Sequence, residues 1–281
     1  MATKQITTVI FIIILITACT KKPPERMVDI GGYNLHMYDT GFGKPTVIFE
    51  YALSSTGGVI RFADIQKEIA TFTRAISYDR AGIGKSDESP LPRTYENLVK
   101  ELKLMLEKEK IHPPYILVGY SLGGHLVRLF TNTYPEDVVG LVLVDGSHED
   151  FFNRIEANRT AEEWGVIDST INNLISQNSE IAKKEWVAYI KGCELMKTVE
   201  IPANIPVQII TAAKYGWTFE AMGLSPKDIL LWVELQSGWI KNKPNAKHTV
   251  TEKSGHGILS NEPQLVISAI KEVLDEVNKM K

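Results

Sequence analysis

The chain has 281 residues, 44% of them hydrophobic and 23% charged, a balance that excludes wholesale disorder and allows one large globular domain with an insertion. Its formal net charge is only −3 and no stripe of Lys or Arg recurs, so the electrostatic footprint of a nucleic-acid binder is missing and small molecules are the expected partners.

Residues 9–16 form an unbroken apolar run of eight, after Lys4 and before Thr17, Ala18 and Cys19. One positive charge, a short apolar stretch and small residues make the layout of a signal peptide. Eight residues fall far short of the ~20 that a permanent helical span requires. Ile16-Thr17-Ala18-Cys19 also resembles the lipobox of bacterial lipoproteins. That resemblance implies loss of residues 1–18, lipidation of Cys19 and an extracytoplasmic protein held on a bacterial membrane. Lys21, Lys22, Pro23 and Pro24 then read as a tether over 19–26. With Cys19 lipidated, Cys193 has no partner for an intrachain disulfide, and the fold must stand on its core.

Beyond the tether, residues 27–30 and 34–38 flank Gly31-Gly32 and predict a β-hairpin. Short β-branched runs follow at 46–50, 75–78, 115–120, 139–145, 207–212 and 247–250, alternating with helical periods at 59–70, 95–108, 122–134 and 263–277. Continuous apolar strands separated by helices predict an α/β fold, with a mostly parallel sheet covered on both faces. One interval breaks the alternation. Residues 148–205 are too many for a simple crossover and are helical in composition, so they predict a helical cap between core segments 27–147 and 206–281.

Gly119-Tyr120-Ser121-Leu122-Gly123 is a G-x-S-x-G sequence that follows an apolar strand and opens a helix. A sharp strand-to-helix turn crowds its own backbone, so small residues are needed two positions either side of Ser121. The helix N-terminus there favours developing negative charge, which suits acyl transfer. The competing reading, a tight turn in a dinucleotide-binding domain, lacks a G-x-G-x-x-G fingerprint. A serine hydroxyl needs a base to take its proton. Of six histidines, His256 lies in the loop Ser254-Gly255-His256-Gly257 between the last strand and the terminal helix, from where it can reach across the sheet. His125 shares a helix with Ser121 and reads as packed or solvated, while His36, His112 and His248 have no matching partner.

These ordered motifs resemble the α/β-hydrolase superfamily over approximately residues 28–280. Asp79-Arg80-Ala81-Gly82-Ile83-Gly84-Lys85-Ser86 looks like its D-x-G-x-G-x-S turn, a structural feature that gives Asp79 and Arg80 no chemistry. The family's acid usually follows the seventh strand, but 206–217 holds no carboxylate. A minority of members carry it at the end of the sixth strand, and the resemblance then points to Asp145. Glu220 is the fallback, with Glu149 and Asp150 behind it. Oxyanion donors are implied at the backbone N–H groups of Leu122 and Leu53, where Phe49-Glu50-Tyr51-Ala52-Leu53 has Tyr51-Ala52 in place of His-Gly.

The resemblance implies a carboxylesterase-like serine hydrolase with a Ser121-His256-Asp145 triad, an acyl-enzyme, and neither cofactor nor metal. Trp164, Phe151, Phe152 and Trp186 are candidates for an apolar acyl pocket. Two other classes stay open: a non-catalytic binding or sensing protein on the same fold, and a hydroxynitrile-lyase-like enzyme.

Overall fold

In the computed structural model, which describes residues 22–54 and 56–280, the chain builds an eight-stranded sheet and ten α-helices among those residues. The expected leader and Cys19 lie outside the described residues. Strand β1 (Glu25–Asp29) pairs antiparallel with β2 (Asn34–Thr40), the hairpin read around Gly31-Gly32. It begins earlier than expected and so takes in part of the anticipated tether. Arg26 bonds Asp39 at 2.8 Å and Glu109 at 2.8 Å, and Lys22 reaches Glu109 at 3.0 Å. From Lys22 onward the segment is thus docked against its neighbours.

Next come β3 (Thr46–Glu50), α1 (Gly58–Ile69), β4 (Ala75–Tyr78), α2 (Tyr95–Lys108), β5 (Tyr115–Tyr120), α3 (Leu122–Thr133) and β6 (Val138–Val144). Three helices follow: α4 (Phe151–Ala157), α5 (Ala161–Ser176) and α6 (Glu180–Met196). The chain then returns through β7 (Val207–Ala212), α7 (Trp217–Ala221), α8 (Pro226–Gly238), β8 (Ala246–Thr251), α9 (Ile258–Asn261) and α10 (Pro263–Lys279). The spatial order is β1-β2-β4-β3-β5-β6-β7-β8, and every pairing from β4 to β8 is parallel.

Side-chain alternation explains the two covering layers. In β5, Tyr115 and Leu117 join the core beneath α2 and α3, whereas Ile116 and Val118 join the core beneath α1 and α10. Leu141 and Leu143 against Val142 and Val144 do the same in β6. A strand apolar on both faces is stable only when both are covered. Helix α10 supplies Val266, Ile270, Val273, Leu274 and Val277 at three- and four-residue spacing to one of those faces.

A third apolar cluster lies apart from the sheet. It joins Phe151 and Ile155 of α4, Ile167 and Ile171 of α5, Phe219 of α7, and Ile229, Trp232 and Leu235 of α8. The helical layer predicted from 148–205 therefore also draws on residues 217–238, a contribution not foreseen from the sequence. Capping explains where these helices begin. Thr160 and Glu163 form a reciprocal capping box for α5, Ser179 caps α6, and Ser225 with Asp228 caps α8.

Candidate active site

Ser121 stands alone between the end of β5 and the first residue of α3, at φ +54° and ψ −121°. A residue other than glycine held in such a sparsely populated region costs on the order of 1–3 kcal/mol, so its surroundings must impose the geometry. They do so through the backbone. Ser121 N–H donates to Val144 O at 3.1 Å, and its carbonyl accepts from Gly124 N and Ser147 N, each at 2.9 Å. A methyl group on Gly123 would lie 2.2 Å from Glu50 O, and one on Gly119 would lie 2.5 Å from Gly123 O. Those contacts are the physical reason for the two glycines around the serine.

The loop after β8 carries His256 to this turn. Its Nε2 lies 3.0 Å from Ser121 Oγ and its Nδ1 lies 2.6 Å from Asp145 Oδ2. The network is self-consistent with Nδ1 carrying the proton toward Asp145, leaving Nε2 to accept from the serine hydroxyl. Tyr120 holds the imidazole from behind: its hydroxyl donates to His256 O at 2.6 Å and its ring stacks on the imidazole at 5.1 Å.

Asp145 is fully buried and sits one residue past β6 at φ +45°. Its backbone N–H donates to Ile210 O at 2.7 Å. With Oδ2 given to His256, Oδ1 accepts from Ala212 N at 3.0 Å and from Trp232 Nε1 at 2.7 Å. The carboxylate is therefore held on three sides. Glu220, the fallback acid, lies on α7, and both ring nitrogens of His256 already have partners. Glu149 is engaged elsewhere by Arg128, whose Nη1 and Nη2 donate to it at 2.7 and 3.0 Å. Together with Arg128 and His125, these contacts outweigh burial and hold its carboxyl below the usual carboxylate range. Asp150 precedes α4, where its N–H donates to His148 Nδ1 at 3.1 Å. His125 is buried beside Tyr95, and His36 lies between Asp79 and Glu25.

Leu53 and Leu122, the expected backbone donors, line the same cavity of about 390 Å³ as Ser121 and His256. As the first residue of α3, Leu122 has an N–H with no acceptor inside the helix. Phe151, Phe152 and Trp186 line the cavity, whereas Trp164 packs within the third cluster instead. Trp217, Phe219 and Trp232 were not anticipated and also contribute. None of the described lining residues is Asp, Glu, Lys or Arg.

Trp232 is the chief residue the sequence reading missed at Asp145. The one available signal was the Ser225-Pro226-x-Asp228 start of a helix. Arg80, read as purely structural, also reaches the site: Nη1 donates to Tyr51 O at 2.7 Å and Nη2 to Ala52 O at 2.8 Å, both in the loop before Leu53.

Comparison with known proteins agrees with this architecture. A family model described as alpha/beta hydrolase fold matches residues 45–176. The chain is 28% identical over 258 residues to the uncharacterized protein YqjL of Bacillus subtilis (strain 168), covering 89% of this chain and 91% of that protein. It is 32% identical over 142 residues to 2-hydroxy-6-oxononadienedioate/2-hydroxy-6-oxononatrienedioate hydrolase 1 of Pseudomonas putida, a match spanning 46% of this chain and 48% of the hydrolase. Among solved structures, mouse alpha/beta hydrolase domain-containing protein 10 superposes with a TM-score of 0.63 at 19% identity, covering 90% of this chain and 99% of that one. Strand order, parallel pairing and flanking helices agree with these likenesses, and the chain has the α/β-hydrolase fold.

Proposed function

We propose that the protein is a serine hydrolase that cleaves uncharged esters of apolar acyl groups through an acyl-enzyme on Ser121. The observation that carries this reading is the continuous chain from Ser121 Oγ through His256 to Asp145, at 3.0 and 2.6 Å, opening onto an apolar cavity. In this mechanism His256 takes the serine proton as Oγ attacks the ester carbonyl, and Asp145 stabilises the imidazolium that results. The Leu53 and Leu122 N–H groups receive the negative charge on the carbonyl oxygen. His256 then returns its proton to the leaving alcohol, and a water activated by the same imidazole releases the acid.

The lining narrows the substrate. A carboxylate brought into this cavity would lose its hydration and find no Lys or Arg among the described lining residues, a costly transfer. The Pseudomonas relative is named for a dicarboxylate, which makes it a poor guide to substrate here. Intact protein should react with a fluorophosphonate at Ser121 and hydrolyse neutral medium-chain esters far faster than half-esters that carry a free carboxylate. Absence of labelling would remove the serine-hydrolase reading, and equal rates on both ester types would remove the neutral-substrate reading. Quantification of acid and alcohol products also separates hydrolysis from a lyase reaction.

A further inference from the structure

Behind the oxyanion-donor loop lies a buried set of four ionisable side chains from distant parts of the chain: Glu50 at the end of β3, Arg80 after β4, Arg93 before α2, and Glu185 on α6. Arg80 is 4% exposed, and all five of its N–H donors have acceptors. Nε bonds Glu185 Oε1 at 2.7 Å and Nη2 bonds Glu185 Oε2 at 2.9 Å. Nη1 bonds Glu50 Oε1 at 2.6 Å and Tyr51 O at 2.7 Å, and the second Nη2 donor takes Ala52 O at 2.8 Å. Glu185 also accepts from Arg93 Nη2 at 2.5 Å and from Ser54 N at 3.4 Å. Burial alone would raise the Glu185 carboxyl, but the two guanidiniums hold it below its ordinary range and keep it charged.

The geometry has a direct consequence for catalysis. In a trans peptide the C=O and the following N–H point in opposite directions. A guanidinium that captures Ala52 O therefore turns the Leu53 N–H away from itself, and capture of Tyr51 O does the same for Ala52 N–H. Helix α3 crowds the same loop, where a methyl group on Gly123 would meet Glu50 O at 2.2 Å and Tyr51 O, the carbonyl that Arg80 captures, at 2.9 Å. The loop is clamped between the serine turn and Arg80, and Arg80 is itself gripped by a carboxylate from the helical layer.

We propose that Arg80 and Glu185 are positioning residues that aim the Leu53 N–H at the developing oxyanion, so that helix α6 acts as part of the catalytic apparatus rather than only as a roof. This inference rests on the serine-hydrolase reading of Ser121. Glu185→Gln keeps the shape but replaces one acceptor oxygen with a donor facing a guanidinium, and Glu185→Asp keeps the charge while drawing it back by one methylene.

Both variants are compared with the intact protein in kcat and KM on a neutral ester. They are also compared in affinity for a trifluoromethyl ketone, which forms a tetrahedral oxyanion on the serine, and for a simple apolar alcohol that forms none. The expected result is a kcat lower by about ten- to a hundredfold, an unchanged KM, and loss of ketone affinity with alcohol affinity retained. Folded variants with normal kcat, or with ketone and alcohol affinity lost in equal measure, overturn the proposal. Should the glutamine variant fail to fold, the aspartate variant decides. Fluorophosphonate labelling of the unmodified protein reports separately on Ser121, so failure of the underlying reading is distinguishable.

Discussion

At the scale of single residues, the site depends on which atoms face which. Asp145 offers one oxygen to His256 and the other to two donors, Ala212 N and Trp232 Nε1. Asn at this position has only one oxygen. If that oxygen meets the two donors, its NH₂ faces His256 Nδ1 and forces the imidazole into the tautomer whose Nε2 carries a proton and cannot accept another. If it meets the imidazole, the NH₂ confronts two N–H groups. Either way Asp145→Asn should lower kcat by as much as ~10⁴-fold with folding retained, and steady-state kinetics alongside circular dichroism checks it. Ser121 and His256 could be read from the chain because each has a local mark, a glycine-flanked turn and a glycine-rich loop, whereas Asp145 at the end of an apolar strand was reached through the family resemblance. Trp232 and Glu185 carry no such mark. Their bonds to Asp145 and Arg80 span 87 and 105 residues, and nothing in their own neighbourhoods announces the partner.

At the scale of elements, strands β3 to β7 were readable because burial on both faces demands continuous apolar runs, helices α1, α2 and α10 because each buries one stripe, and α3 because it follows the glycine-flanked serine turn. Helix α8 escaped for the opposite reason. It buries Asp228, Ile229, Trp232, Leu235 and Gln236, polar residues among them, while Leu230 stays 72% exposed, so its apolar residues blur any single stripe. Yet this helix delivers the indole that steadies Asp145. Trp232→Phe keeps most of the ring volume in the third cluster and removes only the donor. A hydrogen bond to a charged group contributes about 1.5–3 kcal/mol, so the variant should lose roughly that much stability in urea unfolding. Its kcat should fall by roughly tenfold or more, because the imidazole loses a fixed partner. Unchanged kcat would mean that α8 supports the acid without tuning it.

For the whole molecule, the sheet and a helical insertion over 148–205 were legible in the sequence, whereas the contacts that join α4 and α5 to α7 and α8 link distant parts of the chain. Beneath the helical layer lies a buried polar group of His148, Glu149, Arg128 and His125. Burial pushes His148 down to about 4 and lowers His125 as well, so the folded protein binds fewer protons than the unfolded chain below the ordinary histidine range. Stability should therefore be fully present above about pH 6.5 and decline as pH falls toward 4, by up to about 3 kcal/mol for His148 alone. Tm measured across that window should fall, and His148→Asn, which cannot charge, should flatten the slope; an identical slope would assign the acid sensitivity elsewhere. On the sequence reading of the leader, Cys19→Ser should release the protein from the membrane fraction, and unchanged retention would remove the proposed anchor. In the proposed mechanism Ser121 carries the acyl group during turnover. Mass spectrometry of protein quenched during hydrolysis of a slow ester should find one acyl adduct on the peptide containing Ser121 and none in Ser121→Ala, whereas turnover that persists in that variant, or an adduct on another residue, would rule this mechanism out.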